Sequence, residues 1–172
     1  MRKLVFVEDT YGVQFHRIIV EKLKDIGVLG NDFNPKIERL PTGKCNPGLR
    51  GKIIARIDRE DAKALIIIDT ESNPNKVKSC IEEIFKRIPD NIRIDTVYVD
   101  LKHESWLCIG LGGDRVKCRQ DPEHELRRLK NVRDYSKDYL SKWAKDIDVS
   151  RLQGENDFKD YENKLKQLEE DP

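Results

Sequence analysis

A strong net charge is missing from this chain. Its 172 residues contain 33 Lys and Arg against 32 Asp and Glu, although charged residues make up 38% of the sequence. A surface on which the two signs balance lacks the broad positive field of a tight, nonspecific nucleic-acid binder. Any nucleic-acid partner must therefore be held by a local group of side chains.

Long apolar segments are also missing. The run from Leu4 to Val7 is too short for the core of a signal peptide, and it leads into acids. No stretch approaches the roughly 20 apolar residues of a transmembrane helix. We therefore expect a cytoplasmic protein without a membrane partner.

Closely spaced cysteines and nucleotide-binding loops are missing as well. The four cysteines show no C-x-x-C spacing, and in a reducing compartment we expect all of them to be free thiols. They are Cys45, Cys80, Cys108 and Cys118. A zinc site that combined two of them with His103 and His124 would need irregular spacings, so we do not expect one. No G-x-x-x-x-G-K-[ST] pattern occurs, which disfavours ATP hydrolysis by this chain.

Four segments have the pattern of β-strands, and segments with helical periodicity separate them. The predicted strands are Leu4 to Val7, Lys36 to Leu40, Leu65 to Asp69 and Ile92 to Val99. Apolar residues recur every three or four positions after the first and third strands, and residues 47–61 fit one face of a further helix. This alternation predicts a doubly wound α/β fold, with about four mainly parallel strands flanked by helices. Such sheets bind ligands at the carboxyl ends of their strands.

The chain changes character after Asp100. A short helix is predicted at His103 to Ile109, and from Pro122 onward the pattern is charged and helical. We expect residues 1–100 to form the α/β core and residues 101–172 to form a helical extension packed on it, within a single compact domain. The apolar face of the last helix could also serve a homodimer.

Acidic residues follow two of the predicted strands. Glu8 ends the first strand, and Asp69 and Glu71 come at the end of the third. Carboxylates that converge at one sheet edge repel each other unless a cation neutralises them, and Mg²⁺ prefers such oxygen ligands. A structural alternative remains open, because Glu8 and Asp9 could cap the first helix and Asp69 could form a turn.

These motifs resemble the Toprim superfamily, which includes topoisomerases, primases and nucleases. The resemblance rests on V-F-V-E ending at Glu8, on I-I-D-T-E containing Asp69 and Glu71, and on Gly43 after the second strand. It covers roughly residues 1–100, about the size of a whole Toprim module. Two positions depart from the usual pattern: Asp9 stands where glycine is common, and Glu71 where aspartate is common.

A later part of the chain is similar to small prokaryotic Toprim-like proteins whose genes neighbour those of ATPases. The similar features are E-S-W-L beginning at Glu104, D-P-E beginning at Asp121, and a helix with Tyr139 and Trp143. This likeness implies an ATPase as a possible partner.

The Toprim resemblance implies metal-dependent phosphodiester chemistry with Mg²⁺ or Mn²⁺. By likeness, Glu8 is the general acid or base, and Asp69 and Glu71 hold the metal. Glu104 is a candidate for an additional metal ligand, although a solvated helix acid is an equal alternative.

Two basic residues would face the same end of the predicted sheet. Lys44 and Arg50 lie on the loop and the helix start after the second strand, where either could position a phosphate. Other conspicuous residues have ordinary explanations. We expect His16 to be a surface or packing residue, Trp106 to be a core or interface aromatic, and the basic run Arg127 to Lys130 to be a solvated helix face.

Two functions follow from these observations. The first is a nuclease that uses a metal to hydrolyse a phosphodiester bond of DNA or RNA. The second is a noncatalytic Toprim-derived module that binds or regulates an ATPase or a nucleic-acid protein. The departures at Asp9 and Glu71 and the weak net charge favour the second.

Overall fold

The computed structural model describes residues 1–172 and contains one four-stranded, fully parallel sheet. The strands are β1 (Arg2–Val7), β2 (Lys36–Arg39), β3 (Ala62–Asp69) and β4 (Ile94–Val99). Their order across the sheet is β2-β1-β3-β4. The predicted α/β fold class is therefore confirmed.

Helices connect the strands and form the second half of the chain. They are α1 (Thr10–Asp25), α2 (Leu49–Glu60), α3 (Pro74–Ile84), α4 (His103–Gly110), α5 (Arg115–Gln120), α6 (Pro122–Lys130), α7 (Tyr139–Ala144) and α8 (Asn156–Glu170). A short 3-10 helix covers Val149–Arg151. Every one of the helices is too short or too polar to serve as a transmembrane span.

The sheet is covered on both faces, as its unbroken apolar strands require. Alternate side chains of β1 and β3 enter two separate cores. The side that Val5 and Val7 enter has a core of 29 buried residues, 13 of which lie in α1, α4 and α8. We call it the larger face. The smaller face has a core of 13, which includes Phe6 and the buried sides of α2 and α3.

The helical extension packs on the larger face. The apolar side of α8 is fully covered by the chain's own core, in which Phe158, Tyr161 and Leu165 have no exposed surface. The Nζ of Lys3 contacts main-chain carbonyls at the end of α8, and the Nζ of Lys63 lies 2.8 Å from the carboxylate of Asp171. The helix face that could have served a homodimer is therefore occupied within one molecule.

The expectation of free thiols is wrong, because the fold pairs all four cysteines. Cys45 and Cys80 form one disulfide with a Cα–Cα distance of 5.6 Å, and Cys108 and Cys118 form the other at 5.5 Å. Both distances lie in the usual range for disulfides. The first pair joins the loop before α2 to α3, 35 residues further along the chain. Sequence spacing gives no sign of a pairing that depends on how two distant segments pack.

The second disulfide explains one glycine. A Cβ atom at Gly113 would lie 2.6 Å from Cys118 Sγ and 2.8 Å from Cys108 Sγ. Only a residue without a side chain fits so close to the two sulfur atoms. The turn between α4 and α5 therefore depends on glycine at this position.

Candidate functional site

The structure brings the predicted acids of β1 and β3 together at one end of the sheet. Glu8 Oε2 accepts a hydrogen bond from the backbone N–H of Asp69 at 2.6 Å. This contact follows from topology, because β1 and β3 are adjacent parallel strands whose carboxyl ends meet. We call Glu8, Asp69 and Glu71 the acidic edge.

Lys44 lies among these acids. Its Nζ is 3.0 Å from Glu8 Oε1 and 3.2 Å from Glu71 Oε1, and it donates a hydrogen bond to the main-chain oxygen of Asp69 at 2.8 Å. Burial lowers the pKa of Lys44, but the charge of Glu8 and the hydrogen bonds to Glu8 and Glu71 outweigh burial and raise it. Lys44 therefore acts as an internal cation of the acidic edge.

One lysine does not fully compensate the acids. Burial and the neighbouring charge of Asp69 raise the pKa of Glu8, against the opposing effects of the Asp69 N–H and of Lys44. A raised carboxyl pKa means that the surroundings disfavour the negative charge. An additional cation at this edge would relieve that cost.

Asp69 is held from the interior by a histidine. His103 Nδ1 lies 2.5 Å from Asp69 Oδ1, which has no other hydrogen-bond partner. Burial lowers the pKa of His103, but the charge of Asp69, the hydrogen bond to it and the charges of Glu104 and Glu8 raise it overall. Because the N–O distance is short and an unpaired buried carboxylate oxygen is costly, we treat the two groups as paired.

A row of polar side chains continues behind this pair. His103 Nε2 lies 2.6 Å from His16 Nε2, and His16 Nδ1 lies 2.8 Å from the hydroxyl of Tyr161. We call Asp69, His103, His16 and Tyr161 the histidine chain. His16 is therefore a buried residue that packs in the core and makes hydrogen bonds with both ring nitrogens. Its sequence signal was its place among buried residues of α1, which include Val13 and Ile19.

Glu104 lies beside the acidic edge and is completely buried. Its Oε2 accepts hydrogen bonds from the Tyr135 hydroxyl at 2.9 Å and from Lys137 Nζ at 3.3 Å, whereas its Oε1 has no partner. Burial is also the main reason that the pKa of Tyr135 is raised. Glu104 is therefore neither a solvated acid nor a member of the acidic edge.

Asp9 has the structural role that the sequence left open. It is the N-cap of α1, and its Oδ1 accepts the backbone N–H of Gly12 at 2.8 Å. Glu8 makes no such contact with the helix, so the capping alternative holds for Asp9 alone.

Two residues with positive φ lie next to the acidic edge. Glu71 has φ 56° and Leu101, after β4, has φ 68°. The N–H of Glu71 donates to the Leu101 carbonyl at 2.7 Å, which fixes this conformation. Such backbone conformations are uncommon outside glycine and cluster at functional sites. Their place here supports a functional reading of the edge.

Arg50 is not part of this site. Its Nη2 donates to the main-chain oxygen of Arg87 at 2.7 Å, and it makes no contact with the acidic edge. Trp106 is fully buried, and its indole N–H donates to Asp157 at 2.8 Å, so it belongs to the core. Within the basic run, Arg128 pairs with Glu125 on its own helix.

A narrow cleft opens onto the site, with room for about one water molecule. Its walls are Glu8, Asp9, Gly12, Asp69, His103, Lys137 and Leu140. The donor chemistry suits a hard cation, since carboxylate oxygens predominate and one oxygen of nearby Glu104 is unpartnered. The arrangement is not preformed for a metal: no three His, Cys, Asp or Glu side chains are grouped to hold one. Lys44 and His103 pair with the acids instead.

Comparisons of the chain with protein-family models, with curated proteins and with solved structures found no match.

Proposed function

We propose that the acidic edge is the centre of a Toprim-like nuclease that hydrolyses a phosphodiester bond of DNA or RNA with Mg²⁺ or Mn²⁺. The observation that carries this proposal is the meeting of Glu8 with Asp69 at the carboxyl ends of adjacent parallel strands, with incomplete compensation of their charges. Ligands bind at this end of such sheets.

The charges around the site support binding of a cation. Its acids outnumber its lysines, because only Lys44 and Lys137 lie among the carboxylates. The acids are Glu8, Asp9, Asp69, Glu71 and Glu104. When bound, a divalent cation would supply the missing positive charge and polarise a phosphate oxygen, with Asp69 and Glu71 as ligands and Glu104 as a further acid close by.

The residues of the chain have separate tasks in this proposal. Glu8 exchanges a proton with the attacking water or the leaving oxygen, and its raised pKa brings it closer to neutral pH, where proton transfer is most efficient. Lys44 transfers one of its ionic contacts from Glu71 to the phosphate. That exchange is feasible because the Glu71 side chain is 64% exposed.

A second candidate is a noncatalytic module that binds or regulates an ATPase or a nucleic-acid protein. It is favoured by the position of Lys44, which already pairs with Glu8 and Glu71, and by the absence of a preformed group of three metal ligands. In that case the acidic edge has a structural role and is indifferent to divalent cations.

Replacing Glu8 by Gln separates the two candidates. Titration calorimetry with Mn²⁺ and a nicking assay on DNA and RNA should show binding and cleavage by the unchanged protein. Glu8→Gln should lower the cleavage rate at least ~100-fold, because a general acid or base contributes about that much. Circular dichroism should show the same fold for both proteins.

The control variant is Glu83→Gln, which changes an exposed acid of α3. It should cleave at the unchanged rate. An unchanged protein that neither binds Mn²⁺ nor cleaves would refute the nuclease and favour the binding module.

A further inference from the structure

We propose that His103 is a positioning residue for Asp69, and that the Asp69 carboxylate fixes the proton positions of His103 and His16, with Tyr161 donating to the last ring nitrogen. The part of this inference that makes Asp69 a cation ligand rests on the proposed function. The assignment of protons along the histidine chain does not, since it follows from contacts within the protein.

Burial makes the hydrogen-bond pattern of the chain obligatory. His16 and Tyr161 have no exposed surface, and His103 is 4% exposed. A polar group buried to this degree is costly unless it is hydrogen-bonded. The only partners of these three side chains are each other and Asp69, at 2.5 to 2.8 Å. Each ring nitrogen must therefore be matched with a specific neighbour.

One arrangement of protons satisfies every group when the two imidazoles are neutral. A carboxylate only accepts, so the proton of His103 is on Nδ1 and points to Asp69. His103 Nε2 then accepts from His16 Nε2–H, and His16 Nδ1 accepts from the hydroxyl of Tyr161. The direction of donation runs from Tyr161 to Asp69 without interruption.

Packing prevents the rings from turning away. The ring of Phe15 meets His16 edge-on at 5.3 Å and His103 at 5.6 Å between centroids. Trp106 packs against both imidazoles from another side. The four elements α8, α1, α4 and β3 each contribute one member, so the chain anchors Asp69 to the centre of the larger face.

The consequence for Asp69 is a fixed carboxylate. His103 holds Oδ1, while Oδ2 makes no hydrogen bond or ion pair and remains available at the cleft. A histidine that donates to a ligand carboxylate from behind orients it and sets its basicity. His103 therefore acts on a cation through Asp69 and not by direct contact.

The tautomers can be measured in the unchanged protein. Long-range ¹H–¹⁵N NMR on histidine-labelled protein, at a pH where both imidazoles are neutral, should show His103 protonated at Nδ1 and His16 at Nε2. The chain has only three histidines, and exposed His124 serves as the reference for a solvated ring. A His103 signal typical of Nε2–H, or averaged like that of His124, would overturn the proposal.

Removing one hydroxyl tests the positioning role. Tyr161→Phe deletes the donor to His16 Nδ1, so the ¹⁵N signal of His16 Nδ1 should move towards that of an imidazole nitrogen without a hydrogen bond. The same change should also weaken Mn²⁺ binding about tenfold, as losses behind a metal ligand commonly do. Tyr98→Phe removes a hydroxyl outside the histidine chain and should change neither property.

The two proposals fail in different ways. An unchanged His16 Nδ1 signal in Tyr161→Phe would overturn the hydrogen-bond chain behind Asp69, whatever the metal does. If the unchanged protein does not bind Mn²⁺, the nuclease proposal is refuted. The tautomers of His103 and His16 would still show whether the histidine chain holds Asp69.

Discussion

The two faces of the sheet hold the acidic edge by different means. From the larger face, His103 reaches Asp69 through a core in which His16 and Tyr161 are buried and hydrogen-bonded. From the smaller face, Lys44 reaches Glu8 on a loop whose next residue, Cys45, is exposed and linked to α3 by a disulfide. One carboxylate is thus anchored by a rigid core, and the other by a flexible side chain.

This difference indicates which of the two contacts can be replaced by a contact with a ligand. A rearrangement of the histidine chain would require several buried side chains to move together. The Lys44 ammonium, in contrast, can rotate and donate one of its three N–H groups to a new partner. We therefore expect Asp69 to be preorganised and the partners of Glu8 to change when a phosphate arrives. The predictions below test that contrast.

The largest effect should come from His103→Ala. This change removes the partner of Asp69 and of His16 in the core, and breaking a buried pair of this kind costs about 3 to 5 kcal/mol of unfolding free energy. Lys44→Met, on the other side, should cost about 1 kcal/mol, because one of its partners is largely exposed. Urea denaturation of both variants measures the contrast.

The exposed His124 provides a matched control, and His124→Ala should stay within about 0.5 kcal/mol of the unchanged protein. Equal losses for His103→Ala and Lys44→Met would contradict the division into a rigid side and an exchangeable side.

Removal of the disulfides should rank next. Changing Cys45 and Cys80 to Ser opens a loop of 35 residues and should lower the free energy of unfolding by about 4 kcal/mol. The same change at Cys108 and Cys118 opens a loop of 10 residues and should lower it by about 3 kcal/mol. Denaturation with and without a reductant measures each loss. If the shorter loop proves the more costly, packing around the buried sulfurs of the larger face outweighs chain entropy.

The histidine chain should also make the stability depend on pH. Burial, followed by the charge of His103, lowers the pKa of His16 well below its ordinary 6.5. The unfolded chain therefore binds the proton more readily, so His16 stabilises the fold above pH 6.5 and this stability is lost as the pH falls below it. The loss should approach about 1.4 kcal/mol per pH unit.

His103 has the opposite sign. Its raised pKa makes its contribution complete below pH 6.5 and lost as the pH rises through the folded-state pKa. Below pH 6.5 the contribution of His103 is constant, so a comparison of the unchanged protein with His16→Asn measures the contribution of His16. The free energy of unfolding of the variant should fall less on acidification. A variant with the same acid slope would show that His16 is not held neutral in the fold.

Much of the fold could be read from local patterns. The period of apolar residues marks α1 and α8, and the uninterrupted run Ala64 to Ile68 marks a strand covered on both faces. Asn73 caps α3 and the proline after it begins the helix, a pattern that is local in the sequence. Strands of the same direction place their carboxyl ends together, which is why the proximity of Glu8 and Asp69 could be anticipated.

The partners of those acids could not be read in the same way. His16 and His103 are 87 positions apart, and His16 and Tyr161 are 145 positions apart. No local period links residues so distant, and a histidine on an apolar helix face has the same pattern whether it packs or donates. The partner of Arg50 was hidden for the same reason. Arg50 lies on the expected helix, but its guanidinium donates to the main-chain oxygen of Arg87, 37 positions away, and does not face the acidic edge.

By itself, the sequence determined the order of strands and helices and the acids at the strand ends, because both depend on short-range periodicity and on the geometry of parallel strands. Only the tertiary structure decided that Lys44 lies among the acids, that His103 holds Asp69 and that the cysteines are bonded. These contacts depend on how separate helices pack on the sheet, and packing is a property of the whole chain.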